Sequence, residues 1–454
     1  MEFTLDPTTW AQEQFGECNL GDRRRTKRAV TFAAQVAANP SGSTPHQTPS
    51  WSDCKAAYRL FDQDDVTFAR LAEPHWRQTR QRATGHSLLL GDTTEIEFGI
   101  HRKVTGLGPT GNGGGRGFFL HSSMLVAAES AAIDGLAGQE IFHRKSKPKG
   151  ESRAARSKRK RESEVWGRVI DQVGAPPEGQ RWTHVLDRGA DNFEVYCHAL
   201  QNRADFLVRV QHLHRWITTP EGERMKLSAH LKTLPVAGTY ELDLRGTAKH
   251  DARVARVEVR FGTVTLPQPI LRSPWLRKCG LTSITVQVIE VREIDAPKGV
   301  IPLRWVLYTS HAVGTFKNAY EIVGWYEKRW LIEEFHKALK TGCRIEERQY
   351  MTSKRLESLT GMLSVVAVRL LQLKAYARAE PDRPAKEVVP TNWIVALRKL
   401  RPKLPKPCTV KDFYRHLAGL GGFLGRKSDG EPGWITLWRG FERVAFAVRL
   451  LDTD

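Results

Sequence analysis

Tyr326, Arg329, Glu333 and Lys340 stand three, four and seven residues apart in the stretch YEKRWLIEEFHKALK. The pattern reads as one helix that starts near Phe316 and is ended by Gly342. At about 100° per residue, the four side chains fall within about 60° of one another. Leu331, Phe335, Ala338 and Leu339 take the opposite face, which should be the buried one. One line of the helix therefore shows a phenol, a guanidinium, a carboxylate and an ammonium. A carboxylate among cations suits a site that holds a metal beside phosphate, the cations gripping backbone oxygens and the carboxylate holding the metal. The alternative is a solvated face laced with i,i+4 charge pairs.

Two more carboxylates end apolar runs. Leu88-Leu89-Leu90-Gly91 leads into Asp92, and Trp182-Thr183-His184-Val185-Leu186 leads into Asp187. Singly, an Asp at a strand end is ordinary turn chemistry. With Glu333, the two supply the hard oxygen ligands that Mg²⁺ prefers. Such a set suits two-metal phosphoryl transfer. There, ions roughly 4 Å apart activate the attacking hydroxyl and stabilise the leaving oxygen.

The elements that must position these residues follow in order. Residues 1–80 read as a basic helical domain. Asp22 caps a helix opening Arg23-Arg24-Arg25-Thr26-Lys27-Arg28, and a shorter helix from Trp51 to Phe61 carries Lys55 and Arg59. Cations grouped near a helix start suit phosphate contact, and a small bundle with one wet face is the alternative. Residues 81–211 read as three strands, a helix, a strand, a helix and a strand, with Asp92 on the first strand and Asp187 on the fourth. That is the order of a ribonuclease H-like fold. The glycine-rich stretch 111–117 lacks the Lys-Ser/Thr of a P-loop and reads as a hairpin. Residues 144–161 hold ten Lys/Arg against one Glu, a solvated loop or a stretch that lies along DNA. Residues 212–314 alternate apolar and polar, as in Arg256–Phe261 and Ile284–Val288, and read as a β-rich insertion. Residues 315–378 return to the core with the Glu333 helix, and 379–454 form a helical C-terminal region.

Composition narrows the partner. Seventy Lys+Arg against fifty Asp+Glu give a formal charge of +20 over 454 residues, which points to a polyanion, most simply nucleic acid. No apolar run reaches membrane-spanning length, and the first residues do not read as a secretory signal. The six cysteines are scattered without a CxxC pair, an arrangement that fits a reducing cytoplasm.

The signature Tyr326, Arg329, Glu333, Lys340, with Gly91–Thr94 (GDTT), Leu186–Asp191 (LDRGAD), Val366–Leu373 (VAVRLLQL) and Leu420–Phe423 (LGGF), resembles the DDE cut-and-paste transposases of bacterial insertion sequences. The likeness is to the IS-four group and the transposon Tn-five type, and it runs from about Trp10 to Glu442. It implies a ribonuclease H-like catalytic core with a β-rich insertion, a helical N-terminal DNA-binding domain and a helical C-terminal region that dimerises. It also implies nicking at the element end, hairpin formation and opening, and strand transfer to target DNA. By resemblance Asp92, Asp187 and Glu333 carry two Mg²⁺ ions, with Mn²⁺ able to substitute. Tyr326, Arg329 and Lys340 grip phosphates. Trp305 stacks on a flipped base, a role suited to an aromatic face. Arg209 contacts DNA beside the site, and Arg25, Arg28 and Arg59 hold the terminal inverted repeat. The partners implied are double-stranded DNA and a second copy of the chain, with no membrane, in the bacterial cytoplasm at the nucleoid. The alternatives are a domesticated DNA-binding protein that keeps the fold without cutting, and an RNA-directed hydrolase. The basic 144–161 run and the Leu400–Pro407 stretch depart from the family pattern, and the Arg23–Arg28 cluster is richer in cations than that pattern requires.

Overall fold

The structure, a computed structural model, describes residues 6–112, 114–144, 150, 152, 161–244, 253–270, 272–379, 381–426 and 429–451. Most of the basic 144–161 run lies outside the described residues.

Helices come first: α1 (Pro7–Phe15), α2 (Arg23–Ala38), α3 (Thr44–Gln47), α4 (Trp51–Leu60) and α5 (Phe68–Arg82). There follow β1 (His86–Glu97), β2 (Gly108–Thr110), β3 (Gly115–Ala127), β4 (Ile133–Phe142), α6 (Val165–Val173), β5 (Arg181–Leu186), α7 (Phe193–Gln201) and β6 (Asp205–Arg209). The middle holds β7 (Trp216–Thr218), β8 (Arg224–Lys226), α8 (Leu227–Thr233), β9 (Gly238–Leu244), β10 (Arg253–Pro267), α9 (Pro274–Cys279), β11 (Ser283–Glu293) and β12 (Arg304–Thr309). Then come α10 (Phe316–Glu327), α11 (Trp330–Lys337), α12 (Ser353–Ala379), α13 (Thr391–Leu400), α14 (Val410–Leu420) and α15 (Trp434–Leu451). The chain is thus mixed α/β, with a large mixed sheet and helices at both ends. It forms two compact units: a helical unit of residues 1–83, 93–145 and 331–454, and a sheet unit of residues 84–92 and 146–330.

The helical unit is built on α12. Leu356, Leu359, Met362, Leu363, Val366, Ala367, Leu370 and Leu371 are all buried, so the helix is apolar around most of its circumference, as a central helix must be. It packs on α2, α5, α15 and β4. A Cβ at Gly361 would stand 2.6 Å from the Phe68 carbonyl oxygen, so glycine is what allows α5 to approach. At the N-terminus the Asp22 carboxylate accepts from the Arg24 N–H at 2.8 Å and caps α2. Ala29, Val30, Phe32, Ala33, Val36 and Ala37 then form its buried stripe. The buried Arg348 guanidinium donates to the Cys343 carbonyl (2.7 Å), to Gln47 Oε1 (3.2 Å), and to the carbonyls of Pro40 and Gly42. It ties the loop after α2 to the segment that follows α11.

In the sheet unit β1 pairs parallel with β5, and β5 pairs parallel with β6. The next strand along, β12, runs antiparallel to β6, and β11 and β10 continue the antiparallel run. The alternating stretches expected at 256–261 and 284–288 are parts of β10 and β11. Val257, Val259, Val286 and Val288 turn inward, as the period of two requires.

The helix expected from Phe316 through Lys340 is not continuous, which corrects the sequence reading. α10 ends at Glu327, α11 starts at Trp330, and Ala338–Gly342 form a π-helical turn. At the break the Lys328 and Arg329 N–H groups reach back only three residues, to the Trp325 and Tyr326 carbonyls at 3.2 and 3.0 Å. Such tightening is common at helix ends. Both Trp325 and Tyr326 are buried, so consecutive residues are anchored inward there. Steps of 100° therefore cannot be summed from Tyr326 to Lys340 across the break and the π turn.

Candidate functional site

The parallel register of β1 and β5 runs from His86 opposite Arg181 to Leu90 opposite Val185. Two residues further, Asp92 is level with Asp187, which directly follows the end of β5. Neighbouring strands lie about 4.8 Å apart, so the two residues stand side by side just past the point where the β1–β5 pairing stops. Only β5 ends there, and β1 runs on to Glu97 rather than ending at Asp92 as the apolar run suggested. Gly91 allows this approach, since a Cβ there would stand 2.5 Å from Leu186 Cδ2. Trp166 of α6, itself buried, packs within 3.3 Å of the Cβ positions of both Gly91 and Gly189 and floors the site. Asp187 also does turn work: its Oδ1 accepts from the Gly189 N–H at 2.8 Å.

Arginines gather beside these carboxylates. Arg329 Nη1 lies 3.5 Å from Asp92 Oδ2, with both side chains mostly buried. Arg209 donates to the Arg304 carbonyl at 3.3 Å. Burial holds its guanidinium below the usual arginine range, Arg188 and Arg329 push the same way, and Tyr326, whose hydroxyl accepts from it, opposes them. Tyr326 is buried, and its ring meets that of the half-buried Trp305 edge-on, with centroids 5.6 Å apart. Arg188, which the sequence reading passed over, joins this cluster. Its only sequence signal is its place after Asp187.

The last carboxylate of the LDRGAD stretch has a different task. Asp191 is buried and is held by Arg215 (2.7 Å), the Tyr196 hydroxyl (2.6 Å), and the N–H groups of Gln211 (2.7 Å) and His212 (2.9 Å). It locks the chain after β5 to the chain after β6.

In the helical unit Glu333 stands exposed on α11, between the buried Ile332 and Phe335. Lys340, in the π turn, pairs with Glu346 at 3.0 Å, and Glu346 also accepts from the Glu97 N–H at 3.1 Å. On α2, Arg25 pairs with Asp65 (3.0 Å) and Arg28 with Asp53 (2.9 Å), while Arg59 of α4 is exposed. The structure thus places Asp92, Asp187, Arg329, Arg209, Tyr326 and Trp305 in the sheet unit, and Glu333, Lys340 and the N-terminal arginines in the helical unit. Among the described residues, no three His, Cys, Asp or Glu side chains form a group that could hold a metal ion. No described helix is long and apolar enough to cross a membrane.

Two family models match the chain. Residues 7–66, which span α1 to α4, match a transposase DNA-binding domain. Residues 365–451, which run from the middle of α12 to the end of α15, match the Tn5 transposase dimerisation domain. The matches support DNA binding through the first segment and homodimer formation through the second.

Proposed function

We propose that this chain, a Tn5-like transposase by its matched DNA-binding and dimerisation domains, is a DDE enzyme. It cuts and pastes its element by two-metal phosphoryl transfer on a ribonuclease H-like core, as a dimer that bridges two inverted-repeat ends. The observation that carries this reading is the level placement of Asp92 and Asp187, two residues past the last paired positions of the adjacent parallel strands β1 and β5, beside a cluster of arginines. Parallel β1, β5 and β6, with antiparallel β12 against β6, support the fold assignment.

The donor set suits Mg²⁺ or Mn²⁺, because the oxygens of Asp92 and Asp187 are hard ligands and emerge next to each other. Glu333 would be the third ligand. When bound, two such ions would activate the attacking hydroxyl and stabilise the leaving oxygen. The protein's own part is to bind and orient. Arg329, Arg209 and Arg188 hold phosphate oxygens, for which a planar guanidinium is well shaped. Arg329 pairs with Asp92 until DNA arrives, then shares itself with phosphate. Tyr326 aims Arg209, and Trp305 offers a face to an unstacked base. Lys340 exchanges Glu346 for phosphate.

The test is a cleavage assay on linear DNA carrying the element's terminal repeats, with Mg²⁺. Wild type is expected to leave 3′-OH and hairpin ends. Asp92→Asn, Asp187→Asn and Glu333→Ala are expected to bind the ends and leave them uncut. Wild-type protein that binds but does not cut would instead identify a domesticated binder. Cleavage by any of the three variants would remove that residue from the site.

A further inference from the structure

Glu334, next to the proposed ligand Glu333, does not share its surroundings. Both Glu334 oxygens accept from Lys374 Nζ of α12 at 2.9 Å. The two side chains are 16% and 9% exposed. α11 has only eight residues and leads straight into the π turn. Apolar contacts of Ile332 and Phe335 hold it against the unit, and such contacts are not directional. A charge pair with two bonds is directional. Consecutive helical residues point about 100° apart, so fixing Glu334 inward fixes where Glu333 points. Lys374 also belongs to the segment that matches the dimerisation domain. It lines a small cavity with Lys411, Tyr414 and Arg415 of α14 and with Glu431 and Leu437.

We propose that the Lys374–Glu334 pair is a positioning device that sets the rotation of α11 and so aims Glu333, linking the dimerisation helices to the catalytic carboxylate. The proposal rests on the reading of Glu333 as a metal ligand.

The test uses the full chain on terminal-repeat DNA. It reads end binding by gel shift, and single-turnover cleavage across a Mn²⁺ titration. Glu334→Gln and Lys374→Met are expected to bind ends as wild type does and to need about tenfold more Mn²⁺ for half-maximal cleavage, as with other residues that orient a metal ligand. The double variant Glu334→Lys with Lys374→Glu is expected to recover most of that loss. A merely structural pair would lower the melting temperature without moving the Mn²⁺ midpoint. A folded Glu334→Gln with the wild-type midpoint overturns the proposal. If the single variants do not fold, the double variant decides: a wild-type midpoint supports the device, and a midpoint still raised about tenfold overturns it. Glu333→Ala is run alongside. If it cleaves, the metal-ligand reading has failed, whatever Glu334 does.

Discussion

Asp187 and Asp191 stand four residues apart in one motif and do opposite work. Asp187 sits half-exposed at the end of β5 and spends one oxygen on the Gly189 N–H, whereas Asp191 is buried in a closed network with Arg215. Asn caps such turns about as well as Asp, so Asp187→Asn is expected to change unfolding free energy by less than about 0.5 kcal/mol while abolishing cleavage. Asp191→Ala leaves the part-buried Arg215, the Tyr196 hydroxyl and the Gln211 and His212 N–H groups without their carboxylate partner and is expected to cost about 3–5 kcal/mol. Urea melts of both variants check the contrast, and equal losses would contradict it. Asp187 was legible in the sequence because an apolar run leads into it. The role of Asp191 was not, because its partners lie up to Arg215, beyond β6. Buried histidines give a second expectation. Burial pushes His75 and His184 down to about 3. His75 Nδ1 lies 2.6 Å from Gln14 Oε1, and its Nε2 accepts from the Leu136 N–H at 3.0 Å, which requires the neutral ring. An unfolded histidine titrates near 6.5, so below that pH the unfolded chain takes up protons the folded chain refuses. Stability is therefore expected to be full above about pH 6.5 and to fall by up to about 1.4 kcal/mol per pH unit per histidine until about pH 3. Urea melts at pH 7 and pH 5 measure the slope, and His75→Gln should flatten it.

At the scale of elements, the expectation of one continuous helix through residues 326–340 does not hold, for a physical reason. It assumed one uniform helix, and the chain tightens at Lys328–Arg329 and widens into a π turn at Ala338–Gly342. Its apolar face survived in part, since Phe335, Ala338 and Leu339 are buried. The strands around the site were readable because apolar runs and alternation are local signals. The register that sets Asp92 level with Asp187 was not, because it is a relation between segments about a hundred residues apart. Glycine spacing in the C-terminal region hides a similar long-range constraint. A Cβ at Gly440 of α15 would stand 1.8 Å from the Leu417 carbonyl oxygen, and one at Gly421, just past α14, 1.8 Å from that of Thr436. The two helices cross there at backbone contact. Gly440→Ala is expected to destabilise the region by about 1–3 kcal/mol and to weaken dimer formation on end DNA, with single-end binding retained. Sedimentation of the protein–DNA complex measures this, and a wild-type dimer would contradict it.

Across the whole molecule, the charge of +20 sets how DNA is met. Arg25 and Arg28 hold Asp65 and Asp53, so on the proposed reading they would have to exchange a carboxylate for a phosphate, whereas the exposed Arg59 would reach phosphate directly. The slope of log affinity for end DNA against log salt is expected to be steep, with Arg59→Ala lowering its magnitude by about 1. An unchanged slope would remove Arg59 from the interface. The basic total and the helical ends were visible from composition and periodicity alone, but internal pairing of the cations was not, since it depends on which acids fold against them. The central claim concerns three carboxylates and the ions between them. It is tested most directly by anomalous diffraction from crystals of the dimer grown with terminal-repeat DNA and Mn²⁺. The account expects two manganese peaks roughly 4 Å apart, bound by Asp92, Asp187 and Glu333 next to the phosphate to be cut. Manganese bound elsewhere, or bound without Glu333, would contradict it.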